Sequence, residues 1–317
     1  MYNLNKDKGI LTIAYGNRKY IKFAINLATS LNLCNKSIPK AIVTDSDDPK
    51  IKELFDIIIP LDSQFGKGLS QKLSMYDYSP FEETIFIDSD CLAIRNIEFV
   101  FKKFVGKNVS VVGNCLKNGK WLGIDIGSFT KKHQLPYVII FNGGLYYFKS
   151  NSSAKQIFST AKSLIDHYDT LGFDKHKLGL NEEPLMSYAM AQHHETPYQD
   201  KGHKSMYTPI GIQSTFYMEA LAGECRFKKY DQEVCPSVVH FSGHHTDTYF
   251  YHREVLKIKL YTNSKLSRKV ISTLVNAGLN PFYMIYVFIY RMKKRIVNGK
   301  KVKFIPLMPF NKKMALK

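Results

Sequence analysis

Short apolar runs alternate with longer amphipathic segments through the first ninety or so positions. Ile10-Leu11-Thr12-Ile13-Ala14 reads as a buried strand. Arg18 to Leu31 places Ile21, Ala24, Ile25, Ala28 and Leu31 at helical spacing and predicts an amphipathic helix. Ala41 to Thr44 is a second strand, closed by Asp45-Ser46-Asp47-Asp48-Pro49, a turn and helix start. Ile57 to Ile59 is a third strand, Leu69 to Tyr76 a helix, and Thr84 to Ile87 a fourth strand running into Asp88-Ser89-Asp90. Strands that are apolar throughout and separated by helices predict a parallel sheet covered on both faces. Ligands of such sheets bind beyond the carboxyl ends of the strands. Ala14-Tyr15, Thr44-Asp45 and Asp88-Ser89-Asp90 are therefore expected around one crevice.

Beyond residue 108 the pattern is more mixed. Val109 to Val112 and Val138 to Phe141 read as strands, the second feeding Asn142-Gly143-Gly144 as a turn or bulge before Leu145 to Phe148. Residues 152–168 and 182–192 read as helices, and Val238 to Phe241 as a late strand ending in Ser242-Gly243-His244-His245. No internal repeat or low-complexity linker is visible.

Composition narrows the class. The chain has 317 residues, 44% of them hydrophobic, enough for a packed core. Residues 251–317 carry 16 Lys and Arg against the single acid Glu254, and so hold +15 of the formal net charge of +18. The expected organisation is one domain over 1–250 and a basic, aromatic, helical C-terminal extension over 251–317. A body this close to neutral, without a recognition module, argues against a nucleic-acid partner. The five cysteines are scattered without metal-type spacing and read as reduced thiols, a cytosolic pattern. Met1 to Lys8 is polar and the first apolar run is only strand-length, so no cleavable leader is expected.

Candidate chemistry sits at Phe86-Ile87-Asp88-Ser89-Asp90. Two carboxylates one residue apart at a strand end can face one cation, and such hard oxygen donors suit Mg²⁺ or Mn²⁺ bridging to a diphosphate. An isolated Asp-x-Asp is equally an ordinary acidic turn. Its surroundings add specificity. Lys72-Leu73, Tyr76, Tyr78-Ser79-Pro80-Phe81 and Ile85 to Ile97 form one ordered block, Phe141-Asn142-Gly143-Gly144-Leu145 a second, and His240-Phe241-Ser242-Gly243 a third.

In order and spacing these blocks resemble the GT-A type nucleotide-sugar glycosyltransferases, most closely glycosyltransferase family 8, over roughly residues 9–250. The family includes glycogenin and bacterial lipopolysaccharide galactosyltransferases. The resemblance implies an α/β fold of GT-A (Rossmann-like) type, a mostly parallel sheet flanked by helices. It also implies transfer of a hexose from a nucleotide sugar, UDP-hexose, to a glycan or lipid-linked acceptor with retention of configuration. Asp88, Asp90 and His240 are implied as ligands of Mn²⁺ or Mg²⁺, with Ser89 near the donor ribose. Thr12 and Ala14 are implied around the base and Tyr20 stacked on it. Lys72 is implied near the donor phosphates and sugar, and Asn142, Gly143 and Gly144 against the sugar. Gly243 closes the His240 block. Glu182 and Glu183 stand where the family has an acidic/amide pair beside the reactive carbon.

The chain departs from the pattern after Gly243, where relatives carry a diphosphate-clamping lysine and this chain reads His244-His245-Thr246-Asp247. His244, His245, Arg226 or Lys228 are the candidates to replace it. A catalytically inactive sugar-nucleotide-binding scaffold is the rival reading. A phosphohydrolase of haloacid-dehalogenase type fits poorly, because its Asp-x-Asp follows the opening strand rather than the fourth. Finally, Pro281 to Tyr290 is an apolar run of about ten residues, short of the roughly 20 a spanning helix needs. Followed by Arg291, Lys293, Lys294, Arg295, Lys300, Lys301 and Lys303, it suits an interfacial segment on an anionic membrane surface through 281–303. The expected location is cytoplasmic, peripheral at the inner face of a membrane.

Overall fold

The computed structural model describes residues 7–175, 179–212, 216–229 and 231–298, with side chains placed through Ile289 and at Met292. The basic positions 300–303 lie outside the described residues. The strands are β1 (Lys8–Ile13), β2 (Lys40–Thr44), β3 (Ile57–Pro60), β4 (Glu83–Ile87), β5 (Cys91–Ala93), β6 (Val109–Leu116), β7 (Lys120–Trp121), β8 (Ile124–Asp125), β9 (Val138–Lys149), β10 (Met206–Tyr207), β11 (Tyr217–Glu219), β12 (Glu224–Lys229), β13 (Gln232–Val234) and β14 (Val238–His240). The α-helices are α1 (Arg18–Cys34), α2 (Pro49–Leu54), α3 (Leu69–Leu73), α4 (Met75–Tyr78), α5 (Glu98–Lys103), α6 (Ile126–His133), α7 (Ser152–Ser163), α8 (Tyr168–Leu171), α9 (Glu182–Gln192), α10 (Tyr249–Thr262) and α11 (Arg268–Asn298). The described chain divides into two compact units. One comprises the stretch ending at Ala28, Lys36–Ser89 and Glu98–Lys201, and the other Thr29–Asn35, Asp90–Ile97 and the chain from Gly202 onward.

The first unit is built on a six-stranded sheet of order β3-β2-β1-β4-β9-β6. Crossovers place β2 and then β3 on one side of β1 and β4 on its other side, and the four strands run parallel. β9 is antiparallel to both β4 and β6, which makes the sheet mixed. Alternation along the strands sends Leu11, Val43 and Phe86 to one face, where they pack against Leu73, Phe158, Leu185 and Met190 of the helices. Ile42 turns to the other face and meets Ile21, Ala24, Ile25 and Ala28 of α1 and Ile51 of α2.

Two local expectations are corrected and a third is decided between its two readings. The segment Leu69 to Tyr76 is not one helix: α3 stops and α4 starts at Ser74, whose hydroxyl donates to the Ser70 carbonyl at 2.9 Å, a bond that competes with helix continuation. Residues 152–168 are a helix only to Ser163, followed by a 3₁₀ turn over Ile165–His167. Asn142-Gly143-Gly144 is not a turn but a bulged stretch within the 12-residue strand β9, the other of the two readings of its sequence. The β4 ladder begins at Leu145, opposite Ile87, and the β6 ladder jumps from Tyr146, opposite Val111, to Phe141, opposite Gly113, so the extra residues of the irregularity are those of β9.

In the second unit, β14 lies between β10 and β5, with β11, β12 and β13 forming a separate antiparallel sheet. A fully buried Glu254–Lys257 pair at 3.0 Å sits at its centre, extended by Glu219 at 2.6 Å from Lys257. Glu219 also accepts from Ser272 (2.7 Å) and Asn276 (3.2 Å) of α11. These bonds explain why the apolar run extends further than its residues suggest. Two of the polar positions before Pro281, Ser272 and Asn276, donate to Glu219, and the helix begins at Arg268 and runs through Pro281 for 31 residues. Its stretch Arg268–Ile289, which contains an 18-residue window of mean hydropathy 1.3, is long and apolar enough to cross a membrane by length and composition. Ile271 and Val275 pack on Leu221 and Ile258. Val270, Leu274, Phe282, Ile285, Phe288 and Ile289 are exposed.

Candidate active site

The carboxyl ends of the parallel strands are stitched together by polar groups. After β1 the Gly16 amide donates to both carboxylate oxygens of Asp45, at 3.1 and 3.0 Å, and Gly16 adopts φ 73°, a conformation open to glycine. The Tyr15 hydroxyl accepts from the Gly68 amide, the N-cap of α3, at 2.7 Å. Thr12 and Ala14 are buried, and the Thr12 hydroxyl has no hydrogen-bond partner. A buried hydroxyl left alone costs about 1–3 kcal/mol. Tyr20, in the first turn of α1, is 47% exposed and offers an open ring face.

A second group gathers around Lys72 on α3. Its ammonium donates to Asp88 Oδ2 at 2.8 Å and to the Gly143 carbonyl at 3.1 Å, and pairs with Glu182 Oε1 at 2.6 Å. Burial opposes its charge, but the two carboxylates overcome that and hold the ammonium well above the usual lysine range. Lys72 is thus committed to Asp88 and Glu182 rather than standing as a free cation for phosphate. Asp88 is fixed from behind as well, its amide donating to the Gly144 carbonyl at 3.1 Å. The Asn142 side chain accepts from the Gly144 amide at 3.3 Å. A Cβ at Gly143 would lie 2.3 Å from Glu182 Oε1, so only glycine lets this carboxylate approach the strand.

Glu182 and Glu183 open α9, capped by Asn181. Glu183 Oε1 accepts from the Gly143 amide at 2.7 Å, and Glu182 accepts from the Tyr146 hydroxyl at 3.3 Å. Burial first, and the charge of Glu182 second, raise the Glu183 carboxyl to about 6 from 4.5. The folded protein therefore holds this proton more tightly than the unfolded chain. The associated stability is fully present below about pH 4.5 and is lost as pH rises through about 6. Glu183→Gln is expected to remove roughly 2 kcal/mol of pH dependence across this window, read as urea midpoints from about pH 4 to 7. An unchanged profile would contradict the raised carboxyl.

In the second unit, β14 pairs antiparallel with β5 so that His240 faces Cys91, and the Phe241 amide donates to the Asp90 carbonyl at 3.1 Å. This register sets His240 Nε2 3.1 Å from Asp90 Oδ1. His240 is 5% exposed, while the Asp90 side chain is 22% exposed. One donor atom each from Asp90, Cys91 and His240 lies within 4.8 Å of the others, a donor set that could hold a metal ion. Ser89 is buried, and Gly243 has φ 62° at the start of a 3₁₀ turn.

The turn after His240 bears on the absent lysine. His244 and His245 lie ring to ring with centroids 4.3 Å apart. His245 Nδ1 is 3.1 Å from the Ser242 carbonyl, and burial chiefly lowers its pKa. Arg226 and Lys228 are turned outward, one stacked on Tyr217 and the other paired with Asp231 at 3.1 Å. Strand alternation instead buries Lys229, a residue the sequence reading passed over. Its ammonium donates to the Thr208 carbonyl, and burial lowers its pKa to about 8. Tyr146 was missed too, hidden in an apolar run whose hydroxyl partner is distant in sequence.

No protein-family model and no curated protein matches the sequence. Among solved structures, an active-site mutant of LgtC matches with a TM-score of 0.51 at 11% identity, covering 74% of this chain and 87% of that one. The bifunctional glycosyltransferase WbbM in its apo form matches with a TM-score of 0.54 at 13% identity, over 82% of this chain. This chain spans half the length of the WbbM chain. The likeness establishes the architecture: the chain has the GT-A fold of these glycosyltransferases.

Proposed function

We propose that the protein is a metal-dependent glycosyltransferase that moves a hexose from UDP-hexose to a glycan or lipid-linked acceptor with retention of configuration. The observation that carries this reading is the Asp90–His240 pair at 3.1 Å, reached directly after Asp88 at the end of β4. Asp88, Asp90 and His240 are the proposed ligands of Mn²⁺ or Mg²⁺, combining hard oxygens with an imidazole. A cation held there would neutralise charge growing on the departing diphosphate.

The remaining work falls to the chain. Thr12, Ala14 and Tyr20 hold the base, Ser89 the ribose, and Asn142, Gly143, Gly144 and Gly243 the sugar diphosphate. Lys72 fixes the orientation of Asp88 and Glu182. Glu182, already accepting from Lys72 and Tyr146, suits a fixed negative charge beside an oxocarbenium-like centre better than a free nucleophile. Glu183 supports it from the Gly143 amide. The exposed apolar residues of α11, followed in sequence by the Lys/Arg cluster, favour docking on an anionic cytoplasmic leaflet, where a lipid-linked acceptor resides.

Calorimetric titration with UDP tests the binding half of this reading. Affinity is expected to rise at least about ten-fold when Mn²⁺ is added, a gain of some 1.4 kcal/mol or more. Affinity indifferent to metal would overturn the metal assignment. A scaffold would bind the nucleotide and never turn it over.

A further inference from the structure

The second unit contains a cavity of about 250 Å³. It is walled by the last turn of α1, the chain leaving β5, the turn Ala220–Gly223, Ile258 of α10 and the first residue of α11. No Asp or Glu lines it, whereas two arginines, Arg95 and Arg268, do. Arg95 donates to the Cys235 carbonyl. Arg268 donates to the Leu221 carbonyl at 3.3 Å, with its guanidinium over the Tyr261 ring. Neither meets a carboxylate among the described residues.

Nearby cations are treated differently. Lys257 has Glu219 and Glu254 at 2.6 and 3.0 Å, and Arg253 has Glu254 at 2.6 Å. Two guanidiniums on the wall of one cavity, Arg95 half-buried and Arg268 exposed, that meet carbonyls and a ring but no carboxylate favour an anion from outside. The planar guanidinium fork matches phosphate oxygens two at a time. The other walls are largely apolar, with Leu33, Ile94, Leu221 and Ile258, and so suit the organic part of an ester. Burial pushes the Cys34 thiol up to about 12, which makes it a passive wall rather than a nucleophile.

We infer that this cavity binds an organic phosphate ester between Arg95 and Arg268. Two sources share that chemistry. One is a phospholipid headgroup, because the exposed apolar residues of α11 begin at Val270, two residues beyond Arg268. The other is a soluble phosphate ester. The site uses none of Asp88, Asp90, Glu182 or His240, so it stands or falls apart from the catalytic reading.

The test is calorimetry with inorganic phosphate and glycerol 3-phosphate, and sedimentation with phosphatidylcholine vesicles containing about 30% phosphatidylglycerol. Arg268→Gln is compared with Lys269→Gln, which removes the same charge from the next residue, outside the cavity lining. Arg268→Gln is expected to weaken binding at least about ten-fold and Lys269→Gln less than about two-fold. A soluble source shows saturable glycerol 3-phosphate binding lost in Arg268→Gln, with vesicle binding unchanged. A lipid source shows vesicle binding lost in that variant, without competition from glycerol 3-phosphate. Should Arg268→Gln lower the melting temperature, Arg268→Lys, which keeps the charge but not the fork, is expected to show an intermediate loss. Absence of both kinds of binding in the wild type, or equal losses in the two neutral variants, overturns the inference.

Discussion

Asp90→Ala is expected to lose Mn²⁺-dependent release of UDP from UDP-hexose by at least about 10³-fold while the protein stays folded. Metal assistance to a departing diphosphate is worth several kcal/mol, and about 4 kcal/mol corresponds to that factor. The fold should survive because Asp90 is partly exposed and its main-chain carbonyl, which accepts from Phe241, is retained. Deletion leaves His240 one neighbour short, a cost of about 1–2 kcal/mol. Asp90→Asn keeps a hydrogen-bond acceptor for His240 but is a poorer cation ligand, so its activity should also fall steeply. Turnover retained in Asp90→Ala would remove Asp90 from the ligand set.

Lys72→Met is expected to be the most destabilising single change in the first unit. The substitution leaves the Asp88 and Glu182 carboxylates, with side chains only 21% and 12% exposed, facing a site without a countercharge. Breaking such a pair by removing one partner costs about 3–5 kcal/mol. The stranded carboxylates then take folded-state pKa values above their unfolded values. The penalty is therefore greatest at neutral pH, relaxes as pH falls through the raised folded-state values and is gone below the unfolded carboxylate pKa. Glu182→Gln added to Lys72→Met should restore roughly half of the loss, and this non-additivity identifies the coupling. Urea denaturation of the two single variants and the double checks it; a loss under about 1 kcal/mol would mean that Lys72 is effectively solvated.

The first four strands and α1 were legible because buried parallel strands must be apolar throughout and α1 needs a one-sided apolar face. Helix α9 was read with its observed ends, Glu182 and Gln192, since Asn181 caps a local acidic first turn. Tertiary context overrode the sequence elsewhere. Asn142-Gly143-Gly144 carries local turn chemistry, yet pairing of Phe141 with β6 and of Leu145 with β4 keeps the chain in one strand and leaves the three residues as a bulge. Ser272 and Asn276 look like breaks in an apolar run until Glu219 supplies their hydrogen bonds.

The candidate site was legible in the same uneven way. Asp88-Ser89-Asp90 stands out at a strand end, and the resemblance supplied His240 from far along the chain. What no local pattern could reveal is that Lys72, Asp88 and Glu182 form one ion-paired group, or that Tyr146 completes it. The outward turn of Arg226 and Lys228, and the inward turn of Lys229, follow from strand alternation once the β12 register is known.

The most direct test of the central claim is release of UDP from a panel of UDP-sugars by the wild-type protein, with Mn²⁺ and with chelator. Release from one UDP-hexose, dependent on Mn²⁺ and absent in Asp88→Ala, is the expected result and names the donor. No release from any donor, from protein that binds UDP, would contradict catalysis and leave a nucleotide-binding scaffold.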